Sequence, residues 1–226
     1  MLLASVLAAT AFAQPVPQPV RFSVFGPKPI ENLTFVPRAN ASPQPLQFYP
    51  TVRSARAEYR GPMPLRFTDS TSGAVVGEAS IPAGMTEALL LFLPNPGSAT
   101  AGGLRYQVAV LDDSAARHSS GGLAIINLSG LALSGTVNKE NVTLQPGLNP
   151  ALNVGRSAAI TLKTQAKGRT YQSYAATAAL KPGERALLIL FPPFYQGSLE
   201  VQSRLLLDVP PGAAAAKKAE APVKRE

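Results

Sequence analysis

Cysteine and tryptophan are absent from the 226 residues, and histidine occurs once, at His118. Without thiols there is no disulfide framework, no thiolate metal site and no cysteine nucleophile. One histidine without cysteine also excludes the usual zinc ligand sets. Charged residues are 15% of the chain, against about 25% in an average domain. Asp112-Asp113 is the one adjacent acidic pair, and no D-x-D-x-D-G calcium loop occurs. No G-x-S-x-G nucleophile elbow is present either. The sequence therefore gives no reason to expect a metal or cofactor, and the expected character is non-catalytic.

Long apolar runs are missing as well. Beyond the first 13 residues no stretch approaches the ~20 needed to cross a bilayer, so no transmembrane segment is expected after them. Those first residues, MLLASVLAATAFA, have the apolar core and the small-x-small end (Ala11-Phe12-Ala13) of a secretory signal peptide, although a leading basic residue is missing. A secreted or periplasmic location is the expectation, with Gln14 as the mature start.

What the chain does have is punctuation, with 22 prolines and 18 glycines. Breaks this frequent favour short strands over long helices. Residues 14–19 (QPVPQP) read as a Pro/Gln linker of polyproline type. Residues 211–226 read as a basic Ala/Lys/Pro tail without the apolar content to fold. Between them, four- to eight-residue apolar or alternating stretches follow one another, each bounded by turn formers: Val20–Phe25, Leu46–Tyr49, Ser54–Tyr59, Leu65–Thr68, Ala74–Ile81, Ala88–Leu93 and Leu104–Leu111. After Gly122 come Leu123–Leu128, Leu131–Val137, Val142–Leu144, Ala159–Thr164, Thr170–Ala178, Ala186–Phe191 and Leu199–Val209. The fold class is all-β.

One pattern recurs. Ile81-Pro-Ala-Gly leads into ALLLFLP (88–94), and Leu180-Lys-Pro-Gly leads into ALLILFP (186–192). YQVAVLD (106–112) then answers VQSRLLLD (201–208), and upstream LQFYPT (46–51) is matched with LAIINL (123–128). A continuous apolar run belongs to a strand buried on both faces, and an alternating partner has one wet face. The expectation is an internal duplication: two tandem immunoglobulin-like β-sandwich units, at 20–113 and 123–210, joined by a solvated linker at 114–122. One larger sandwich is the alternative.

Candidate sites are few. Asp112, Asp113, His118 and Ser119 have the residue types of a catalytic triad, but neighbours in one loop rarely reach that geometry. A solvated linker is the preferred reading, and no catalytic, cofactor-binding or metal residue is assigned. Glu87 and Glu184 sit in what look like corresponding turns, where solvation explains them. Arg53, Arg56 and Arg60 lie on a stretch with Tyr59, and with Lys217 and Lys218 of the tail they are candidate anion contacts. Period-two alternation splits Arg53 from Arg60, so they do not form the aromatic-lined stripe of a nucleic-acid binder, and no nucleic acid is expected. Of the tyrosines, Tyr195 stands with Phe194 between Pro193 and Gln196-Gly197. That pair is the candidate ligand contact, on an exposed loop tip.

The formal charge is +8, which fits an anionic polymer partner or simple solubility. Two functions follow as expectations. One is an exported, non-catalytic binding or structural component of the cell envelope, with an envelope protein or anionic envelope polymer as partner. The other is a periplasmic assembly chaperone that takes up partner strands by β-augmentation.

Overall fold

The computed structural model describes residues 18–97 and 103–211. The signal-peptide reading, most of the Pro/Gln linker and the tail with Lys217 and Lys218 lie outside the described residues. Among the described residues seventeen strands run in chain order. The first four are β1 (Val20–Phe25), β2 (Leu33–Phe35), β3 (Gln44–Pro45) and β4 (Ala57–Tyr59). Then follow β5 (Leu65–Asp69), β6 (Val75–Ala79), β7 (Glu87–Pro94) and β8 (Tyr106–Asp112). The second half holds β9 (Gly122–Asn127), β10 (Leu133–Val137), β11 (Glu140–Leu144), β12 (Gly147–Leu148) and β13 (Leu152–Asn153). It ends with β14 (Ser157–Ala166), β15 (Arg169–Ala179), β16 (Arg185–Phe191) and β17 (Gln202–Asp208). No helix among the described residues is long and apolar enough to cross a membrane.

These strands make four sheets. In the first half an outer sheet, β3-β2-β5-β6, faces an inner sheet, β4-β1-β7-β8. In the second half an outer sheet, β11-β10-β14-β15, faces an inner sheet, β12-β9-β16-β17, with β13 also paired to β9. Phe22, Phe35, Phe67, Leu90 and Phe92 fill the first sandwich. Leu123, Ile160, Leu162, Leu188 and Leu190 fill the second.

The two inner sheets share one plan. β7 pairs in parallel with β1 and antiparallel with β8, while β16 pairs in parallel with β9 and antiparallel with β17. Register gives the equivalences: Phe22 faces Ala88 as Leu123 faces Ala186. The partner of β9 in this plan is therefore β1, and the match of residues 46–51 with Leu123–Leu128 fails. Leu46–Tyr49 is not a strand at all. Prolines at 43, 45 and 50 remove ladder donors, so Leu46 and Phe48 reach the core from an irregular segment.

The continuous apolar runs now have an explanation. Along β7, Ala88, Leu90 and Phe92 point into the first sandwich, while Leu89 and Leu91 point the other way. Along β16, Ala186, Leu188 and Leu190 point into the second, while Leu187 and Ile189 point away. The outward side chains meet. Leu89, Leu91, Leu187 and Ile189 form a third apolar cluster with Phe25, Ala124, Ile126 and Leu206. The inner sheets thus pack face to face as the middle layers of a four-layer stack. Each of these large side chains contributes about 1.5–3 kcal/mol by leaving water.

That packing also narrows the expected wet face of the alternating strand, where Gln107 stays exposed and the other β8 residues are partly buried. Tyr106, Val108 and Val110 of β8 lie on the first core, while Ala109 and Leu111 lie on the seam between sandwiches. An unpartnered hydroxyl is also caught in the seam layer. Ser23, on β1 next to Phe25's face, is buried and its Oγ has no hydrogen-bond partner.

Candidate functional site

At one end of the seam the strand ends bring charge together. Counting back from the runs, the residue before Ala88 is Glu87 and the residue before Ala186 is Arg185. Glu87 therefore corresponds to Arg185, which corrects its pairing with Glu184. Glu184 instead closes its own turn, its Oε2 accepting from the Lys181 N–H at 2.8 Å. Opposite Glu87 lies Asp113, whose N–H donates to the Glu87 carbonyl at 3.1 Å, and opposite Arg185 lies Asp208. The two aspartates converge on Arg185.

Arg185 is fully buried. Its Nη1 donates to the carbonyls of Asp113 and His118, each at 2.9 Å. Its Nη2 lies 2.9 Å from both Asp113 Oδ2 and Asp208 Oδ2. Two further guanidiniums arrive from the segment before β4: Arg53 Nη1 is 2.6 Å from Asp113 Oδ1, and Arg56 Nη2 is 2.6 Å from Asp208 Oδ2. Arg21 pairs with Glu87. Burial pushes the Asp208 carboxyl up, but the Arg185 hydrogen bond, with Arg53 and Arg56, outweighs it and holds the group below the ordinary range. Arg53 Nε, Arg53 Nη2 and Arg185 Nε are buried without hydrogen-bond partners.

The segment between the sandwiches is only partly solvated: Ala115, Ala116, Arg117, Ser119 and Ser120 are exposed, while His118 within it and Asp113 before it are drawn inward. Arg117 and His118 N–H groups both donate to the Ser114 carbonyl, making a turn, and Asp113 and His118 are each 5% exposed. Arg185, more than 60 residues later, supplies the donors that fold it inward. The triad types do not assemble. His118 Nε2 lies 3.2 Å from the Gly122 carbonyl, Asp112 Oδ1 accepts from the Ser114 N–H, and Ser119 is exposed. Burial lowers the His118 pKa, so the imidazole is neutral at pH 7.

Beside this cluster the seam opens into a cleft of about 560 Å³. Leu89, Leu111 and Leu187 form its apolar floor, and Asp113, His118 and Asn149 stand on its walls. Asn149 is spent on structure, its Nδ2 donating to the Ile125, Gln145 and Gly147 carbonyls.

The other candidates are dispersed. The Arg53 side chain is 5% exposed and committed to carboxylates, and that of Arg56 is 30% exposed. Neither stands free on an exposed rim. Arg60 is exposed and paired with Glu58. Phe194 and Tyr195 are 74% and 73% exposed, the highest values among the large hydrophobic residues described. They sit in the β16–β17 loop with their rings edge to face at 4.9 Å. The Ser198 N–H donates to the Tyr195 carbonyl, and Gly197 supplies the positive φ (83°) that this tight turn needs. Because β16 runs from Arg185 to Phe191, this tip lies a strand length, about 20 Å, from the ion cluster.

The cluster has no local signature in the sequence. Its members are spread from residue 21 to residue 208, and only the offset from each run to its preceding residue hinted that Glu87 and Arg185 share a position. Compared with known proteins, the chain matches no family model and no curated protein.

Proposed function

We propose that the protein is an exported, non-catalytic binding component of the cell envelope, working through the tip of the β16–β17 loop. The observation that carries this reading is the exposed Phe194–Tyr195 pair. Two large rings in water cost solvation that a folded protein ordinarily avoids, and aromatic side chains at such positions are common contact anchors. Two sandwiches mated through an apolar seam and a buried ion cluster give the loop a stiff base. The test is affinity capture from the organism's envelope fraction at low and high salt, with wild type beside Phe194→Ser/Tyr195→Ala. A protein partner held at high salt and lost in the variant supports the reading. Anionic polymer lost at high salt, with no difference between variant and wild type, overturns the loop-tip contact.

A second reading, strand uptake in an assembly role, is favoured by β15. It is the longest strand among the described residues, 11 residues at an open edge of the outer sheet, and Thr170 to Leu180 carry no charge. Edges normally carry charge or proline to prevent pairing. One place is already taken, since the Val201 N–H donates to the Ser173 carbonyl. Ala176→Lys on this edge would abolish subunit co-purification while leaving the loop tip intact.

A further inference from the structure

The cleft at the seam is separate from the loop tip, and its chemistry is specific. Its floor is apolar, and its charged lining is balanced, with Arg53 and Arg117 against Asp112 and Asp113. The formal charge of the wall is therefore zero, which disfavours an ionic ligand. The polar capacity of its neighbours is largely consumed. Asp113 is held by Arg53 and Arg185, and Asp112 accepts from Ser114 and lies 3.6 Å from Arg117.

Two kinds of group are not consumed: Arg53 Nε and Nη2, donors without partners, and the His118 imidazole. Nε2 faces a carbonyl, which can only accept, so Nε2 carries the proton. Burial keeps the ring neutral, which leaves Nδ1 as a bare acceptor. No hydrogen bond among the described residues reaches Nδ1, on a residue that is 5% exposed and lines the cleft. Nδ1 is not among the fully buried unpartnered atoms, so it keeps access to the cleft, and a ligand hydroxyl would take the place of water there.

We infer that the interdomain cleft is a binding site for a small uncharged molecule with an apolar ring or chain and one hydroxyl, which donates to His118 Nδ1. A cleft of this volume at a domain boundary, with an apolar floor and a few convergent polar groups, is the ordinary form of a small-molecule site. Hydroxyl recognition would discriminate phenol from toluene, which match in size but differ in the donor. One neutral hydrogen bond corresponds to about a three- to tenfold difference in affinity.

Because the chain holds a single histidine, its imidazole nitrogens give an unambiguous NMR signal. Nitrogen-15-labelled protein, titrated with phenol and separately with toluene, reads the site directly. The expected results are an acceptor-type Nδ1 in the free protein, a saturable shift of that nitrogen with phenol, and weaker toluene binding by the stated factor. Ala151→Trp, at an exposed lining residue, fills the cleft and abolishes the shift, and Ala116→Trp, at another exposed lining residue, does the same. A protonated Nδ1, no saturable shift, equal affinity for toluene, or a shift that survives both tryptophan variants would each overturn the assignment.

Discussion

Replacing Arg185 by methionine keeps much of the volume and removes the charge at the centre of the seam. Four bonds vanish, two to backbone carbonyls and two to carboxylates. The carboxylates are not abandoned, because Arg53 still meets Asp113 and Arg56 still meets Asp208, each at 2.6 Å. The Asp113 and His118 carbonyls are, and each stranded buried acceptor costs about 1–3 kcal/mol. Breaking a buried ion pair by deleting one partner typically costs about 3–5 kcal/mol. A loss of about 4 kcal/mol is expected, lowering Tm by about 8–16 °C for a chain of this size. The pH dependence supplies an internal control. Asp208 titrates below its ordinary value in the folded state, so its contribution is present above the unfolded pKa, about 3.9, and is lost as pH falls through the folded one. Without Arg185 that depression shrinks, and the acid slope of stability below about pH 4 flattens. Urea unfolding of wild type and variant between neutral and acidic pH measures both effects. A loss under about 1 kcal/mol, or an unchanged acid slope, would refute the reasoning.

Ser23→Ala, at the position where the second sandwich has Ala124, removes a buried hydroxyl with no partner. Urea unfolding should show no loss and a gain of up to about 1 kcal/mol. Gly135→Ala should be severe, because a Cβ there would lie 1.9 Å from the Thr161 carbonyl oxygen across the β10–β14 ladder. A cost of about 3 kcal/mol or more is expected by the same assay. Asp69 is held at a pKa of about 2, chiefly by the Arg105 hydrogen bond and then by the Ser72 and Thr71 N–H groups. A carboxyl NMR titration should show that value rise in Arg105→Ala, with the stability linked to this group fading as pH falls through the lower pKa.

Much of the strand pattern is legible in the residues alone. β1 was bounded by its own alternation and by Gly26-Pro27, and Ala88–Leu93 and Ala186–Phe191 fall one residue or so inside β7 and β16. Burial of those runs on both faces could be read from their continuity. The identity of the outer neighbour could not, because nothing local says that Leu89 and Leu187 face one another. Short pairings such as β3, β12 and β13 carry no periodicity to detect. Asp113 and His118 look solvated in sequence because their partner, Arg185, is supplied by another strand. The exposed Phe194–Tyr195 tip was readable because Pro193 and Gly197 fix the loop from within it.

The mating of the two sandwiches through their apolar runs is best tested by scanning calorimetry of the wild-type protein beside Leu89→Asp/Leu187→Asp. With the seam intact, one transition is expected, with equal calorimetric and van't Hoff enthalpies. The double variant, with two carboxylates forced into the apolar layer, should show two transitions, one for each sandwich. Two resolved transitions in the wild type, or a double variant that melts as the wild type does, would contradict the four-layer account.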